Sequence, residues 1–280
     1  MENKIMYGMP CSNYIKEELK KEIDKINDKL KLVVIQIGNN PASNVYIKNK
    51  QKACEELNID IDILKYNEDI EEEKIIDKIK ELNKNSDITG IIVQLPIPDR
   101  FNVEKIINTI TPLKDVDGTT DFNIGSNLKG NKGIKSSTSN GIIKLLKYYN
   151  VVIEGKHVVV INRSILVGKP LVGLLLKENA TVTICHSKTT NIEELTKKAD
   201  ILIVAVGIAK YIKKNMIKKG SIIIDVGINR IDDKLIGDVD FDNVIDKCQM
   251  ITPVPKGVGV MTVTMLIYNV VECYKLSKEV

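Results

Sequence analysis

Residues Val158 to Lys188 read VVVINRSILVGKPLVGLLLKENATVTICHSK: a short apolar run, a polar turn, an amphipathic stretch, and a second apolar run ending in Cys185, His186, Ser187 and Lys188. That order predicts a β-α-β mononucleotide unit. At the end of the second strand a NAD-binding unit carries Asp or Glu to bond the ribose 2′-hydroxyl. No acid stands there. A hydroxyl and a cation take its place, with Arg163 in the first turn. These groups suit a phosphate on that ribose, because charge-assisted bonds to phosphate are the strong ones. The cofactor expected is therefore NADP. The turn from Asn162 to Gly168 keeps a single glycine of a G-x-G-x-x-G pattern. Gly168 allows close backbone approach at a helix N-terminus, where free N–H groups accept an anion. On this segment alone, an ordinary strand-turn-helix with a surface arginine remains open.

Outward from this unit, the 280-residue chain is long enough for two α/β domains. Apolar residues make up 43% and charged residues 28%, with no Trp and three Phe, so the interior must be built from Ile, Val and Leu. The net charge of +4 arises from 41 basic and 37 acidic residues mixed along the chain, which argues against nucleic-acid binding. Five cysteines without a C-x-x-C pair indicate neither a zinc site nor a disulfide framework, and no metal is expected. The N-terminal MENKIMYGMP lacks an apolar core, and no apolar run has the length a membrane span needs, so a cytoplasmic protein is expected.

Ile15, Leu19, Ile23, Ile26 and Leu30 recur at helical spacing, and Leu32 to Gly38 reads as a buried strand. A helix from about Ser43 to Leu57, a strand at Ile59 to Leu64, a helix from Glu71 to Leu82 and a strand at Gly90 to Gln94 follow. The run from Thr119 to Ser139 is polar and poorly periodic, and a domain boundary fits there. Alternation resumes with strands at His157 to Ile161, Ala180 to Ile184, Ile201 to Val206, Ser221 to Val226 and Met250 to Ile251, before a last helix from Val260 to about Tyr274. The fold class expected is α/β, with two domains that each hold a mostly parallel sheet flanked by helices, the second Rossmann-like and NADP-binding.

Tyr46 and Lys50 stand four residues apart on one helix and share a face. A lysine withdrawn from water has its charged form disfavoured and becomes usable as a base, and a neighbouring phenol can orient a water. A solvated helix surface is the bland alternative from this spacing alone. Y-x-x-x-K also marks short-chain dehydrogenases, but there the nucleotide turn opens the chain, whereas here the pair precedes it by more than a hundred residues. Gln94 ends a strand where α/β ligands collect, and a strand-terminal glutamine facing solvent is the bland alternative. Asp115-Val116-Asp117-Gly118 reads first as a turn and is too short for a calcium loop. His186 suits cofactor contact or plain surface, and His157 a structural role.

Taken together, PASNVYIKNKQKAC, GIIVQLPIP, KDVDG, VGKP, TVTICHSKT, ADILIVAVG, IIIDVGIN, GDVDF and TPVPKGVGVMT resemble the bifunctional methylenetetrahydrofolate dehydrogenase/methenyltetrahydrofolate cyclohydrolase family, in order from about Tyr7 to Asn269. The resemblance implies a tetrahydrofolate derivative bound between the domains, with Lys50 as catalytic base, Tyr46 beside it, Gln94 holding the lysine and Asp117 binding the pterin, and with Pro255 and Gly257 also touching substrate. It implies NADP contacts from Asn162, Arg163, Ser164, Gly168, His186, Ser187, Gly207 and Ile228, of which Arg163 and Ser187 match the positions at the 2′-phosphate. It implies a discontinuous folate domain, 1–138 and 261–280, around an NADP domain, 139–260, and a homodimer without nucleic-acid or membrane partners.

The chain departs from the family at named positions. Asn162 stands at the usual first glycine of the nucleotide turn, Ser136-Ser137-Thr138-Ser139 replaces a Pro-Cys-Thr-Pro segment, and Gly118-Thr119-Thr120 replaces the Asp-Gly-aromatic continuation. Lys256 replaces a glycine and Val260 a proline. The expectation is an NADP-dependent dehydrogenase that also hydrolyses its methenyl product to 10-formyltetrahydrofolate. Its rivals are a dehydrogenase-only enzyme, an oxidoreductase like shikimate dehydrogenase, and a folate- or nucleotide-binding regulator without turnover.

Overall fold

The computed structural model describes residues 4–279. Its elements run α1 Gly8–Ile23, β1 Lys31–Ile37, α2 Pro41–Glu56, β2 Asp60–Tyr66, α3 Glu72–Lys84, β3 Gly90–Val93, α4 Val103–Thr109, α5 Asp121–Leu128, α6 Ser137–Tyr148, β4 His157–Ile161, α7 Gly168–Lys177, β5 Thr181–Cys185, α8 Ile192–Thr196, β6 Ile201–Val204, β7 Ile222–Asp225, β8 Asn229–Ile231, β9 Lys234–Ile236, α9 Phe241–Val244, β10 Met250–Ile251 and α10 Val258–Lys278.

Two compact units divide these elements. One holds the chain up to Tyr14, Leu128–Gly130 and Thr138–Thr262, and the other holds Ile15–Asn127, Asn131–Ser137 and the chain from Val263 on. The second unit contains a parallel sheet in the order β2-β1-β3. Val33, Ile35 and Ile37 of β1 pack with Ile75, Ile76, Ile79 and Leu82 of α3, whose apolar residues fall on one helical stripe. The first unit contains a parallel sheet in the order β10-β7-β6-β4-β5, its core built from Val159, Ile161, Leu202, Val204, Ile223 and their neighbours. β4 lies between β5 and β6, so successive crossovers leave it in opposite directions and create a switch point at its carboxyl end. The chain start joins this unit through Met6 N–H to the Ile251 carbonyl and Gly8 N–H to the Lys256 carbonyl, both 2.8 Å.

Three features differ from the sequence reading. α1 ends at Ile23, while Ile26 and Leu30 continue its spacing through a turn that leads to β1. A turn burying every third or fourth residue carries the same signal as a helix. The aperiodic run 119–139 contains α5, whose buried residues are Asn123, Ser126 and Asn127. A helix with a polar buried face is invisible to apolar periodicity. The antiparallel hairpin β8–β9 turns at Asp232 and Asp233, both with positive φ, without the Asn-Gly or Asp-Gly pair that marks such turns.

Candidate active site

In the three-stranded unit, α2 starts where Pro41 occupies its first turn and the Asn40 side chain accepts from Ala42 N–H at 2.9 Å and Ser43 N–H at 3.2 Å. This start sets the helix phase, and Ser43, Ile47, Lys50 and Cys54 fall on the buried face. Lys50 is 7% exposed, and its Nζ donates to Gln94 Oε1 at 2.7 Å. Gln94 follows β3 directly and is itself buried. Its Nε2 donates to the Leu95 carbonyl at 2.6 Å, so the amide oxygen is the end left to face the amine.

Asp117 reaches the same strand edge by a separate route. Lys114 to Val116 runs alongside β3, with Ile91 N–H donating to the Lys114 carbonyl at 2.7 Å, and a Cβ on Gly90 would overlap the Val116 side chain. Asp115, not Asp117, organises the turn: it accepts from Gly118 N–H, Thr120 N–H and Asn123 Nδ2 at 3.0, 2.8 and 2.9 Å. Gly118 has φ +66°, and an added Cβ would lie 2.5 Å from the Lys135 carbonyl carbon, so glycine is required. Asn269 of α10 donates to the Val116 and Lys135 carbonyls, each at 2.8 Å, and clamps the loop from the other side.

Burial lowers the Lys50 pKa, against the nearby Asp117 carboxylate, which raises it. Burial likewise raises Asp117, against the pull of Lys50 and of the Ser137 hydroxyl. Both groups are pushed toward their neutral forms, and a neutral amine is a base. Tyr46 lies one turn before Lys50, off the buried stripe and 36% exposed, with its phenol raised by burial. Lys50, Gln94 and Asp117 thus gather at the carboxyl edge of one small sheet with Tyr46 at their border.

In the five-stranded unit, register pairs Ile161 of β4 with Cys185 of β5. Arg163 and Ser187, each two residues further on, leave the same edge of neighbouring strands, and both are exposed. Asn162 fills the turn with its side chain: Oδ1 accepts from Ser164 N–H and Ser164 Oγ at 2.8 Å each and from Gly168 N–H at 3.0 Å, while Nδ2 donates to the Ala205 carbonyl at 2.5 Å. A Cβ on Gly168 would collide with the Asn162 carbonyl, so the helix start must be glycine. His186 Nδ1 accepts from Lys188 N–H at 3.1 Å, closing the turn that carries Ser187. No Asp or Glu occurs from His186 to Asn191. An anionic ribose substituent fits a cation, a hydroxyl and a glycine-opened helix start better than a 2′-hydroxyl does. Gly207 follows β6 with φ +69°, and Ile228 follows β7 with its side chain 45% exposed.

Pro255 and Gly257 belong to this unit as well, whereas Lys50, Tyr46, Gln94 and Asp117 belong to the other. A Cβ on Gly257 would strike the Pro253 carbonyl, and one on Gly8 would strike Gly257. Lys256 between them has φ +81°, a conformation natural to glycine. His157 is tied down by Thr183 Oγ1 at 2.9 Å. Sequence reasoning read Asp115 as part of a turn, as the structure has it, but missed Asn123 and Asn269, which also shape the Asp117 loop. It also missed the buried Asp225 and Asp238, although both lie in segments already singled out, IIIDVGIN and GDVDF.

Among the described residues no group of His, Cys, Asp and Glu is placed to hold a metal ion, and no helix is long and apolar enough to cross a membrane.

Comparison with known proteins gives two family matches. Residues 6–117 match the tetrahydrofolate dehydrogenase/cyclohydrolase catalytic domain, and residues 136–278 match the NAD(P)-binding domain of the same family. A protein of Thermodesulfovibrio yellowstonii called "Bifunctional protein FolD" is 48% identical over 284 residues, covering 100% of this chain and 99% of its own length. The crystal structure of the bifunctional methylenetetrahydrofolate dehydrogenase/cyclohydrolase FolD from Campylobacter jejuni is 41% identical with a TM-score of 0.94, covering 98% of this chain and 99% of that one. A Trypanosoma brucei methylenetetrahydrofolate dehydrogenase-cyclohydrolase, solved with NADP cofactor and inhibitor, is 30% identical with a TM-score of 0.93, covering 99% and 98%.

Proposed function

The chain belongs to the tetrahydrofolate dehydrogenase/cyclohydrolase family, and on that premise we infer that it carries both activities. It oxidises 5,10-methylenetetrahydrofolate to the methenyl compound with NADP, and it hydrolyses that product to 10-formyltetrahydrofolate. A dehydrogenase without the hydrolase is disfavoured, since the Thermodesulfovibrio yellowstonii and Campylobacter jejuni relatives are bifunctional by name and the Lys50–Gln94 pair is intact.

The observation that carries the hydrolytic assignment is the buried Lys50 Nζ bonded to Gln94 Oε1. We assign Lys50 the proton from the water that adds to the methenyl carbon. Desolvation supplies the neutral amine this requires. Gln94 is a positioning residue: by accepting one N–H it turns the amine's remaining valences toward the site. Tyr46 orients the reacting groups, and Asp117 takes N–H donors of the pterin, held by the turn that Asp115 and Gly118 build. Pro255 and Gly257 supply further substrate contacts from a loop in which a Cβ on Gly257 would strike the Pro253 carbonyl.

NADP, when bound, takes up the hydride from the methylene carbon. The chain's part is to hold it. Gly168 and the α7 start accept the pyrophosphate, Arg163 and Ser187 the 2′-phosphate, and Asn162, Ser164, His186, Gly207 and Ile228 border it. The folate domain is assigned to 1–138 and 261–280 and the dinucleotide domain to 139–260. The changeovers between compact units at Ser137/Thr138 and Thr262/Val263 support the two internal cuts, whereas the chain up to Tyr14 and Leu128–Gly130 group with the dinucleotide unit instead. A cytoplasmic homodimer, with no nucleic-acid or membrane partner, completes the proposal.

The test is purified protein with methylenetetrahydrofolate and either NADP or NAD, following methenyl absorbance with time. A rise with NADP followed by decay to the formyl compound is expected. No rise with either nucleotide removes the dehydrogenase assignment, and a rise that never decays removes the hydrolase.

A further inference from the structure

Two buried carboxylates lie under the carboxyl ends of β6 and β7, and neither has a cationic partner among the described residues. Asp238 is 0% exposed and receives four N–H groups. Its Oδ2 accepts from Val206 and Gly207 N–H at 2.6 and 2.9 Å, and its Oδ1 from Ile208 N–H and Asn229 Nδ2, both at 2.9 Å. Asp225 ends β7 and accepts from Gly227 N–H at 3.0 Å, Asp238 N–H at 3.0 Å and Val239 N–H at 2.9 Å. Thr252 Oγ1 accepts from Asp225 N–H at 2.8 Å. Glycines make the interlock possible: a Cβ on Gly227 would fall on the Asp238 carboxyl, and one on Gly237 on the Asp225 carboxyl.

A carboxylate taken out of water without a counter-ion is costly unless its lone pairs are filled. Here backbone amides and one side-chain amide fill them: five belong to the segments 206–208 and 227–229, and the other two are Asp238 and Val239 N–H, which tie Asp225 to the Asp238 segment. With their N–H groups turned inward, the two segments hold one conformation, and Ile208 and Ile228 stand 55% and 45% exposed at the edge. The strand order says which part of a dinucleotide meets that edge. With the 2′-phosphate at the β5 end and the pyrophosphate at the β4–α7 turn, the other half of the molecule lies over β6 and β7.

We propose that Asp238, braced by Asp225, is a positioning residue for the nicotinamide half of NADP, fixing the strand-end segments at Val206–Ile208 and Gly227–Asn229 before the cofactor arrives. This rests on the reading that the five-stranded unit binds NADP. Asp238 acts through the backbone it holds.

Asp238→Asn tests it. The new side chain has the same shape, but its NH2 group faces donors where two N–H groups need an acceptor. Titration calorimetry should show NADP affinity falling at least about tenfold, which is roughly 1.4 kcal/mol. Binding of adenosine 2′,5′-bisphosphate, which has no nicotinamide, should stay within about twofold. In turnover, KM for NADP should rise while KM for methylenetetrahydrofolate holds. Unchanged NADP binding overturns the proposal, and so does an equal loss for both ligands, which would mark a merely structural role. Wild-type protein that binds neither ligand would instead remove the NADP reading. Amide exchange on the wild type decides the matter even if the variant does not fold. Slow exchange at Val206, Gly207 and Ile208 without ligand is expected, and fast exchange that slows only with NADP overturns it.

Discussion

Lys50 Nζ donates to Gln94 Oε1 at 2.7 Å, a bond between helix α2 and the residue following β3, 44 positions further along the chain. The pair is buried, so the glutamine satisfies the amine without supplying a charge that would hold its proton. A carboxylate in Gln94's place would stabilise the ammonium form and spoil the base. Asp117 is the charged neighbour, and burial raises its pKa too, which weakens the hold it has on the lysine proton.

Lys50→Met should lower methenyl hydrolysis by about 10² to 10⁴, the usual worth of a general base. Dehydrogenation should fall much less, because hydride transfer needs orientation more than proton transfer. The variant would therefore accumulate methenyl absorbance that the wild type consumes. Equal losses in both steps would place Lys50 in substrate binding instead.

The pH profile of hydrolysis follows from the direction of the two shifts. A base works above its pKa, and burial lowers that of Lys50 below the ordinary lysine value of 10.5. Asp117, raised by burial, is lost as a carboxylate as the medium turns acid. The rate of methenyl hydrolysis should rise with pH through an apparent pKa below 10.5 and fall on acidification. A flat profile in initial-rate measurements across the neutral and alkaline range would contradict the role given to Lys50.

Arg163→Ala should weaken NADP by roughly ten- to a hundredfold, as loss of a charged hydrogen bond of about 1.5–3 kcal/mol implies, and leave NAD affinity within about twofold. Ser187→Asp should go further and reverse the preference, since a carboxylate repels the 2′-phosphate and accepts from a 2′-hydroxyl. Calorimetric titration with each nucleotide checks both. A parallel loss of NAD and NADP would mean that neither residue reads the phosphate.

Asn162→Ala removes an acceptor shared by Ser164 and Gly168 and a donor to Ala205. A stability loss of about 1–2 kcal/mol is expected, in line with loss of a helix cap. Urea denaturation monitored by circular dichroism would measure it. An unchanged midpoint would show that the turn holds its shape without the side chain.

Lys256→Gly should stabilise the protein by about 0.5–1 kcal/mol, because release from a left-handed conformation outweighs the added freedom of the unfolded glycine. The φ of +81° at Lys256 is the basis. A lower denaturation midpoint in the variant would count against it.

The alternation of apolar runs and amphipathic stretches determined the two parallel sheets, because burial on both faces leaves only Ile, Val and Leu for those strands. The nucleotide unit was legible for the same reason. So was its lack of an acid after Cys185. Lys50 could be placed on a helix, and the stripe Ile47–Lys50–Cys54 held the sign that it would be buried. The resemblance of ordered segments assigned it a role that spacing left open.

Other features were decided only by tertiary structure. Sequence distance says nothing of Gln94 lying under Lys50, or of Asp117 arriving beside β3 because Gly90 has no Cβ to repel Val116. Helix α5 escaped notice because its buried face is Asn and Ser, and the partners of Asn123 come from the loops on either side of the helix, at Asp115 and Ile134. Asp225 and Asp238 carried no role in the sequence beyond their places in IIIDVGIN and GDVDF, and only the folded chain brings seven N–H groups to their oxygens. Apolar burial is a property each segment carries by itself, whereas the satisfaction of a buried polar group depends on where the rest of the chain places its donors.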